Sequence, residues 1–247
     1  MKITSNKMRV IACCVRAFWF PGLLTLAFMM ACSFGRSKGP AGNSTSSTAN
    51  NSSRATAFTP SSDARKDLRE ALERLNTAYP FRLTENSFGN AGGQDVSEGT
   101  RIVEFAAADR SHAKWTKGPL GDTEVITIGD KQYSKLNNGN WTEGSPARLA
   151  QRQGMEKRMR EMMASAVKDV QYIGTDTVNG VPCHEYTYTM DMDVSGQKWA
   201  GTGKAWIGST DGLPHQLDSE MTVSSLYKQK SHITYEYNID VKVDKPM

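Results

Sequence analysis

Four cysteines and four histidines are the residues of this chain best suited to nucleophilic or metal chemistry. Their spacing favours neither use, because the chain contains no CxxC and no HExxH pattern. The histidines fall on four different predicted strands: His112, His184, His215 and His232. The chain also lacks a GxSxG elbow and a glycine-rich phosphate loop, so no nucleophile paired with a base is recognisable. We therefore expect no catalysis, no metal site and no cofactor.

One cysteine, Cys32, has a different context. A basic stretch precedes the apolar run AFWFPGLLTLAFMMA, whose length is typical of the core of an export signal and too short for a membrane-spanning helix. The run ends in Met29-Met30-Ala31-Cys32, which resembles the bacterial lipobox, with Met29 where leucine is usual. The resemblance implies cleavage before Cys32 and attachment of a diacylglyceryl group to its sulfur. Ordinary signal cleavage beside an incidental cysteine is the alternative.

Cleavage at that point would remove Cys13 and Cys14, and acylation would modify Cys32. Cys183 would then be the remaining free thiol. A single thiol cannot form an intramolecular disulfide. Its surroundings, GVPCHEYTY, predict a strand, and a lone cysteine in a strand is typically a small buried apolar residue.

The chain has a net charge of +4 and a pI of 8.8. Its excess of basic residues lies in the first part of the sequence. Residues 1–62 hold seven lysines and arginines and no acidic residue, so the remainder carries a net charge of −3. The basic pI is therefore no evidence for a nucleic-acid partner.

The composition divides the chain into three parts. Residues 1–31 form the predicted lipoprotein signal peptide, and residues 32–62 form the predicted lipid anchor and flexible polar tether. In residues 33–62, 25 of 30 positions are Ser, Thr, Asn, Gly, Ala or Pro, a composition that cannot bury enough apolar surface to fold. Residues 63–247 form the predicted folded domain.

Hydrophobic periodicity predicts an α+β fold for that domain. Leu68, Ala71, Leu72 and Leu75 form one helical stripe, with Ser61 or Ser62 as the N-cap. Strand-like alternation then begins at Phe81, is interrupted by a second helix over about residues 147–167, and resumes in a second group of strands. In the last of these, alternation runs without a break from Ile233 to Val243. An antiparallel sheet of eight or more strands must curl, and helices covering its apolar face would complete the core.

Three segments carry a resemblance to a known family: GTDTVNGVPCHEYTYTMD, KAWIGSTDGLPHQLDSEM and ITIGDKQYSKLNNGNWTE. They resemble the hairpins of the bacterial lipoprotein-carrier superfamily, which includes LolA-type carriers and LprG/LppX-type lipid-binding lipoproteins. The resemblance implies a curled antiparallel half-barrel whose concave face is covered by helices. In that superfamily the space between sheet and helices is an apolar cavity that takes acyl chains.

On this resemblance we expect the cavity walls to come from apolar residues of both helices and of the sheet. The predicted ligand-binding residues are Leu72, Leu75, Phe105, Ile126, Ile128, Met155, Met159, Met162, Met163, Tyr186, Tyr188, Tyr235 and Tyr237. The four methionines have two interpretations, because an amphipathic helix needs an apolar face in any case. They are either core residues or ligand-contacting residues whose flexible thioethers adapt to acyl chains.

The sequence thus predicts an exported envelope lipoprotein, anchored on the periplasmic or outer face of a membrane through Cys32. It would bind lipid or the acyl chains of a lipoprotein without catalysis. The alternative within the same superfamily is an RseB-type interaction or sensor module whose cavity is filled by its own side chains and whose partner is an envelope protein.

Overall fold

The computed structural model describes residues 57–91, 94–118, 121–145, 158, 161–162, 165–194, 196–223 and 227–247. Its elements begin with helix α1 (Ala64–Arg74), which continues as a 3₁₀ turn over Leu75–Thr77. The first group of strands is β1 (Phe81–Ala91), β2 (Gln94–Ala107), β3 (Arg110–Gly118), β4 (Gly121–Ile128), β5 (Lys131–Leu136) and β6 (Thr142–Glu143). The second group is β7 (Val167–Val178), β8 (Val181–Val194), β9 (Gln197–Gly208), β10 (Pro214–Val223) and β11 (Tyr227–Tyr237).

The eleven strands of the described residues form one antiparallel sheet in the order β6-β5-β4-β3-β2-β1-β11-β10-β9-β8-β7. Each group is a meander, in which strands adjacent in sequence pair with each other. The two meanders join where β1 pairs with β11 over eleven residue pairs. The sheet is open, with β6 and β7 at its two edges. The predicted pair of antiparallel meanders is confirmed.

Short turns connect the strands where glycine and asparagine predicted them. Asn179 and Gly180 both have positive φ, at 50° and 82°. A two-residue turn with this backbone matches the right-handed twist of the flanking strands, which is why Asn-Gly is favoured there. Gly129, with a φ of 60°, opens the tight turn between β4 and β5.

Helix α1 begins as its sequence pattern predicts, but its cap is a different residue. The side chain of Asp63 accepts a hydrogen bond from the backbone N–H of Lys66, so Asp63 is the N-cap rather than Ser61 or Ser62. The hydroxyl of Ser61 instead donates to the carboxylate of Asp67, at 2.7 Å. An aspartate accepts this kind of bond as readily as a serine does, so residue type alone could not separate the candidates.

Most of the second predicted helix lies outside the described residues. The described residues of this segment that precede β7 are helical: Arg158, Glu161, Met162, Ser165 and Ala166. Ala166 is buried in the main core, and Met162 packs against that core.

The last predicted strand is too long. β11 ends at Tyr237, and Asn238 adopts a left-handed backbone with a φ of 58°. The alternation continues beyond this point because Val243 is buried, and Val241 partly buried, against another surface, the side of the sheet that carries Ile126 and Tyr133. An apolar alternation of period two reports which residues are buried, and it does not by itself report strand pairing.

Candidate functional site: the inner face of the sheet

One side of the sheet carries most of the buried apolar residues, and we call it the inner face. It is defined by Phe81, Leu83, Glu85 and Ser87 of β1 and by the residues registered with them across the sheet. Directly paired residues of antiparallel strands point to the same side, so the register assigns each residue to a face. The opposite side is called the outer face.

The inner face is apolar and aromatic over most of its width. Its main cluster includes residues from β1, β2 and the whole second meander, together with residues of α1. The buried members contributed by the strands include Phe81, Leu83, Val103, Phe105, Tyr186, Tyr188, Met190, Met192, Trp199, Leu217, Met221, Ile233 and Tyr235. Three of these are methionines of strands, which the helix-based prediction did not include.

Aromatic rings pack against one another at the end of the inner face formed by the start of β1. The rings of Phe81 and Phe105 stack with their centroids 4.6 Å apart. Tyr237 lies 6.0 Å from Phe81, and its own ring is parallel to that of Tyr235. Contacts of this kind contribute beyond the area they bury.

Farther along the sheet, a missing side chain makes room for a ring. A Cβ atom added to Gly203 would overlap the Tyr188 ring, so glycine is required for Tyr188 to occupy this position. Burial raises the pKa of the Tyr188 hydroxyl above its usual value, which keeps that hydroxyl neutral.

Helix α1 is attached to the inner face by a buried carboxylate. Asp67 accepts hydrogen bonds from the backbone N–H of Ser61 at 2.8 Å and from the hydroxyl of Tyr186 at 3.2 Å. Leu68, Ala71 and Leu75 are buried in the same cluster as Tyr186. The helix therefore rests on the inner face through both apolar and hydrogen-bonded contacts.

This attachment predicts a stability effect. We expect Asp67→Ala to lower the free energy of unfolding by about 2 kcal/mol, because a hydrogen bond to a charged group contributes roughly 1.5–3 kcal/mol and Tyr186 would keep a buried, unpaired hydroxyl. Urea denaturation followed by circular dichroism measures the effect. The exposed carboxylate of Glu70 on the same helix provides the control, since Glu70→Ala should change stability by less than about 0.5 kcal/mol. Equal effects of the two substitutions would contradict this role of Asp67.

Most of the predicted wall residues meet on or against the inner face. Phe105, Tyr186, Tyr188, Tyr235 and Leu75 are members of its buried cluster. Leu72, Met162 and Tyr237 are partly buried and pack against that cluster. Met155, Met159 and Met163 lie outside the described residues, as does Cys32.

The two predicted isoleucines lie on the outer face instead. Ile126 is registered with His112, which is registered with Glu104, the neighbour of Phe105 in β2. Because successive residues of a strand point to opposite sides, Ile126 points away from the side of Phe105. Ile126 and Ile128 belong to a separate small cluster with Tyr133, Trp141, Val241 and Val243. The prediction that they share a wall with Phe105 is corrected accordingly.

The sequence interpretation missed a group of polar residues on the inner face. Five of its charged or polar side chains are buried, with exposures of 2–6%: Glu85, Ser87, Arg101, Gln229 and Ser231. The sequence did contain a signal for this group. Phe81 and Leu83 point to the inner face, and Glu85 and Ser87 follow them at the same spacing of two residues, so they point to that face as well. Burying polar side chains on an inner face lowers the stability of the fold unless they form hydrogen bonds or ion pairs there.

The histidines and Cys183 have ordinary local partners. His215 and His232 pair with Asp211 and Asp218, at 3.0 and 2.6 Å. Cys183 is buried, as predicted, and burial raises the pKa of its thiol to about 11, which disfavours the reactive thiolate. Within the described ranges, no three His, Cys, Asp or Glu side chains are grouped to hold a metal ion.

A groove of about 710 Å³ crosses the second meander on the outer face. Most of its lining residues are polar or charged, among them Lys204, Asp218, Glu220, Lys230 and His232, but the surface that they expose to the groove is mainly apolar. Because the groove lies on the outer face, it is distinct from the cavity predicted between the sheet and the helices. Among the described helices, none is both long and apolar enough to cross a membrane.

Comparison with known proteins finds similarity in structure. No protein-family model matches the chain, and no curated protein matches its sequence. Mycobacterium tuberculosis lipoprotein LppX is 18% identical, with a TM-score of 0.48 over 73% of this chain and 98% of LppX. LprF from Mycobacterium bovis is 14% identical, with a TM-score of 0.43 over 76% of this chain and 99% of LprF. A LolA superfamily protein from Nitrosomonas europaea is 11% identical, with a TM-score of 0.33 over 72% of this chain and 94% of that protein.

LppX and the LolA superfamily protein carry the names of the two types of protein that the three hairpin segments resemble. Similarities at 11–18% identity concern the path of the chain and not its ligand.

Proposed function

We propose that this chain is an exported envelope lipoprotein, anchored through Cys32, that binds lipid or lipoprotein acyl chains on the inner face without catalysis. The observation that carries the proposal is the inner face itself, where buried aromatic, aliphatic and methionine side chains from six strands point to one side. A surface of this kind gains roughly 25 cal/mol for each Å² of apolar area that an acyl chain covers. Helix α1, Met162 and Ala166 supply apolar side chains against the same face.

The proposal has a direct test. The full-length protein is purified from its native membrane and extracted with organic solvent, and the extract is analysed by lipid mass spectrometry. We expect co-purifying acyl lipid and, after delipidation, uptake of a fluorescent fatty acid. Recovery of no lipid together with no uptake would overturn the proposal.

A matched pair of substitutions on β3 locates the binding. Ala113 is partly buried against the inner-face cluster, whereas the neighbouring Lys114 is exposed on the outer face. We expect Ala113→Trp to weaken uptake of the fluorescent fatty acid by about tenfold or more, since the added ring takes space that an acyl chain would occupy. Lys114→Trp should leave uptake unchanged. Equal affinities of the two variants would place the bound lipid elsewhere.

A second candidate function is an interaction or sensor module with a filled interior, whose partner is an envelope protein. The close packing of the inner face by its own side chains favours it, above all the Tyr188 ring against Gly203 and the buried Leu75. This candidate predicts a purified protein that holds no lipid and takes up none. Crosslinking in intact cells, with a photoreactive residue at an exposed position such as Phe88, would then identify the partner.

A further inference from the structure

The groove on the outer face, which we call the outer-face groove, has no part in the lipid-binding proposal. It runs across the strands, because its lining extends from Phe88 of β1 to Gln171 of β7. These two strands are separated by four others in the sheet. At about 4.8 Å for each step between neighbouring strands, the groove extends for roughly 24 Å. That length suits an extended ligand better than a compact one.

The charged side chains that line the outer-face groove have partners within the protein. The carboxylate of Asp169 accepts a hydrogen bond of 2.8 Å from the Thr189 hydroxyl. The other charged or titratable lining residues form the pairs Lys230–Glu220 at 3.2 Å, His232–Asp218 at 2.6 Å and Lys204–Glu185 at 2.7 Å. Opposite charges therefore lie side by side along the described lining, and no cation is left unpaired to attract an anion. This pattern favours an uncharged ligand.

Uncharged polar groups of the groove lack such partners. The hydroxyls of Thr187 and Thr202 and the amide of Gln171 line it without a hydrogen bond to any described residue. The rest of the surface exposed to the groove is mainly apolar, and the ring of Phe88 contributes to it. The groove thus combines apolar contact area with neutral groups that can donate and accept hydrogen bonds.

A chain of sugar rings matches this combination. The C–H bonds of a sugar ring form apolar patches that pack on aromatic rings, and its hydroxyls donate and accept hydrogen bonds without carrying charge. An acyl chain would instead cover the free threonine and glutamine groups and leave them unpaired, which costs binding free energy. In an extended oligosaccharide, successive rings are spaced about as far apart as neighbouring strands, so that rings and strands can remain in step across the groove.

We propose that the outer-face groove binds a linear, uncharged oligosaccharide. Phe88 stacks against one sugar ring, and Thr187, Thr202 and Gln171 form hydrogen bonds with hydroxyls of the others. A chain of roughly four rings would span the groove. The groove and the inner face are on opposite sides of the sheet, so this inference does not depend on lipid binding.

The test measures binding of oligosaccharides to the full-length protein by isothermal titration calorimetry, in a detergent without a sugar headgroup. The probes are four uncharged tetrasaccharides: cellotetraose, maltotetraose, mannotetraose and the tetramer of N-acetylglucosamine. We expect at least one of them to bind with a Kd below about 1 mM. Its monosaccharide should bind at least about tenfold more weakly, because a single ring contacts only part of the groove. Binding of none of the four, or equal affinities of tetramer and monomer, would overturn the proposal.

Salt dependence tests the uncharged character of the ligand. The Kd of the bound tetrasaccharide should change by less than about twofold between roughly 0.05 and 0.5 M NaCl, because salt screens interactions between charges only. The tetramer of β-1,4-linked glucuronate, an anionic probe, should bind more weakly than the tetrasaccharide at low salt, since Asp169, Asp218 and Glu220 line the groove. Tighter binding of the glucuronate tetramer would overturn the assigned ligand class.

Variants place the binding in the outer-face groove. Phe88→Ala should weaken tetrasaccharide binding about tenfold through the lost stacking, and Thr202→Val, which removes only a hydroxyl, should weaken it about threefold or more. Leu136, on β5 outside the groove, has an exposure of 50% against 54% for Phe88, so Leu136→Ala is the matched control and should bind as the wild type does. Equal affinities of Phe88→Ala and Leu136→Ala would overturn the site.

The same variants separate this proposal from the lipid-binding function. Uptake of the fluorescent fatty acid by Phe88→Ala should equal that of the wild type, because Phe88 lies on the side of the sheet away from the inner face. Loss of tetrasaccharide binding with unchanged uptake supports the outer-face site. Parallel loss of both activities in the folded variant would mean that a single site serves both ligands, and would overturn the proposal.

Discussion

Replacing Cys32 by serine is expected to release the protein from the membrane fraction while the folded domain stays intact. The wild-type chain should need detergent for extraction and should incorporate a palmitate analogue, whereas Cys32→Ser should be soluble and unlabelled. Stable attachment takes two acyl anchors, and a serine hydroxyl cannot replace the thiol to which the first would be attached. Cell fractionation followed by immunoblotting and metabolic labelling measures both effects.

Controls for this prediction lie within the same chain. Cys14→Ser changes a cysteine of the predicted signal peptide and should remain membrane-bound and labelled. The predicted tether does reach the core at its end, because Phe58 is buried in the main cluster and Ser61 bonds to Asp67. The urea midpoint of Cys32→Ser should still equal that of the wild type, because Cys32 lies 26 residues before Phe58 in the sequence. A soluble, unlabelled wild type would mean ordinary signal cleavage. Membrane retention of Cys32→Ser would mean that an uncleaved leader or the domain surface holds the chain there.

The second large effect is expected on stability, from two phenylalanines in β1. Phe81 is fully buried on the inner face, and Phe88, seven residues later and on the outer face, is 54% exposed. We expect Phe81→Ala to lower the free energy of unfolding by about 3–5 kcal/mol, because it leaves a cavity beside Phe105. Phe88→Ala should change it by less than about 0.5 kcal/mol.

Urea denaturation of both variants, with tryptophan fluorescence as the signal, gives the two values. The comparison holds residue type and strand constant, so it isolates the face of the sheet. Similar losses in the two variants would mean that the outer face near Phe88 is covered as well, and would contradict the assignment of the two faces.

Local patterns in the sequence predicted much of this fold. The alternation in β1 and β11, and the Asn179-Gly180 turn, specify antiparallel hairpins because side-chain direction in a strand and backbone sign in a tight turn depend on near neighbours alone. The stripe of α1 likewise identified Leu68, Ala71 and Leu75 as buried. These features carry over into the candidate site, where Phe105, Tyr186, Tyr188 and Tyr235 lie on the inner face.

The side of the sheet to which each strand turns its apolar residues was decided only in three dimensions. In β4 apolar residues occur on both sides of the strand. Pairing with β3 places Val125 on the inner face and Ile126 on the outer face. The outward set is then covered by Val241 and Val243, which follow the left-handed Asn238. Glu85 and Arg101 were visible as polar residues in inward phases, but their proximity depends on the register of β1 with β2. The alternation within one strand does not specify which residues of the neighbouring strand lie opposite it. That register is selected by the burial of apolar residues over the whole sheet.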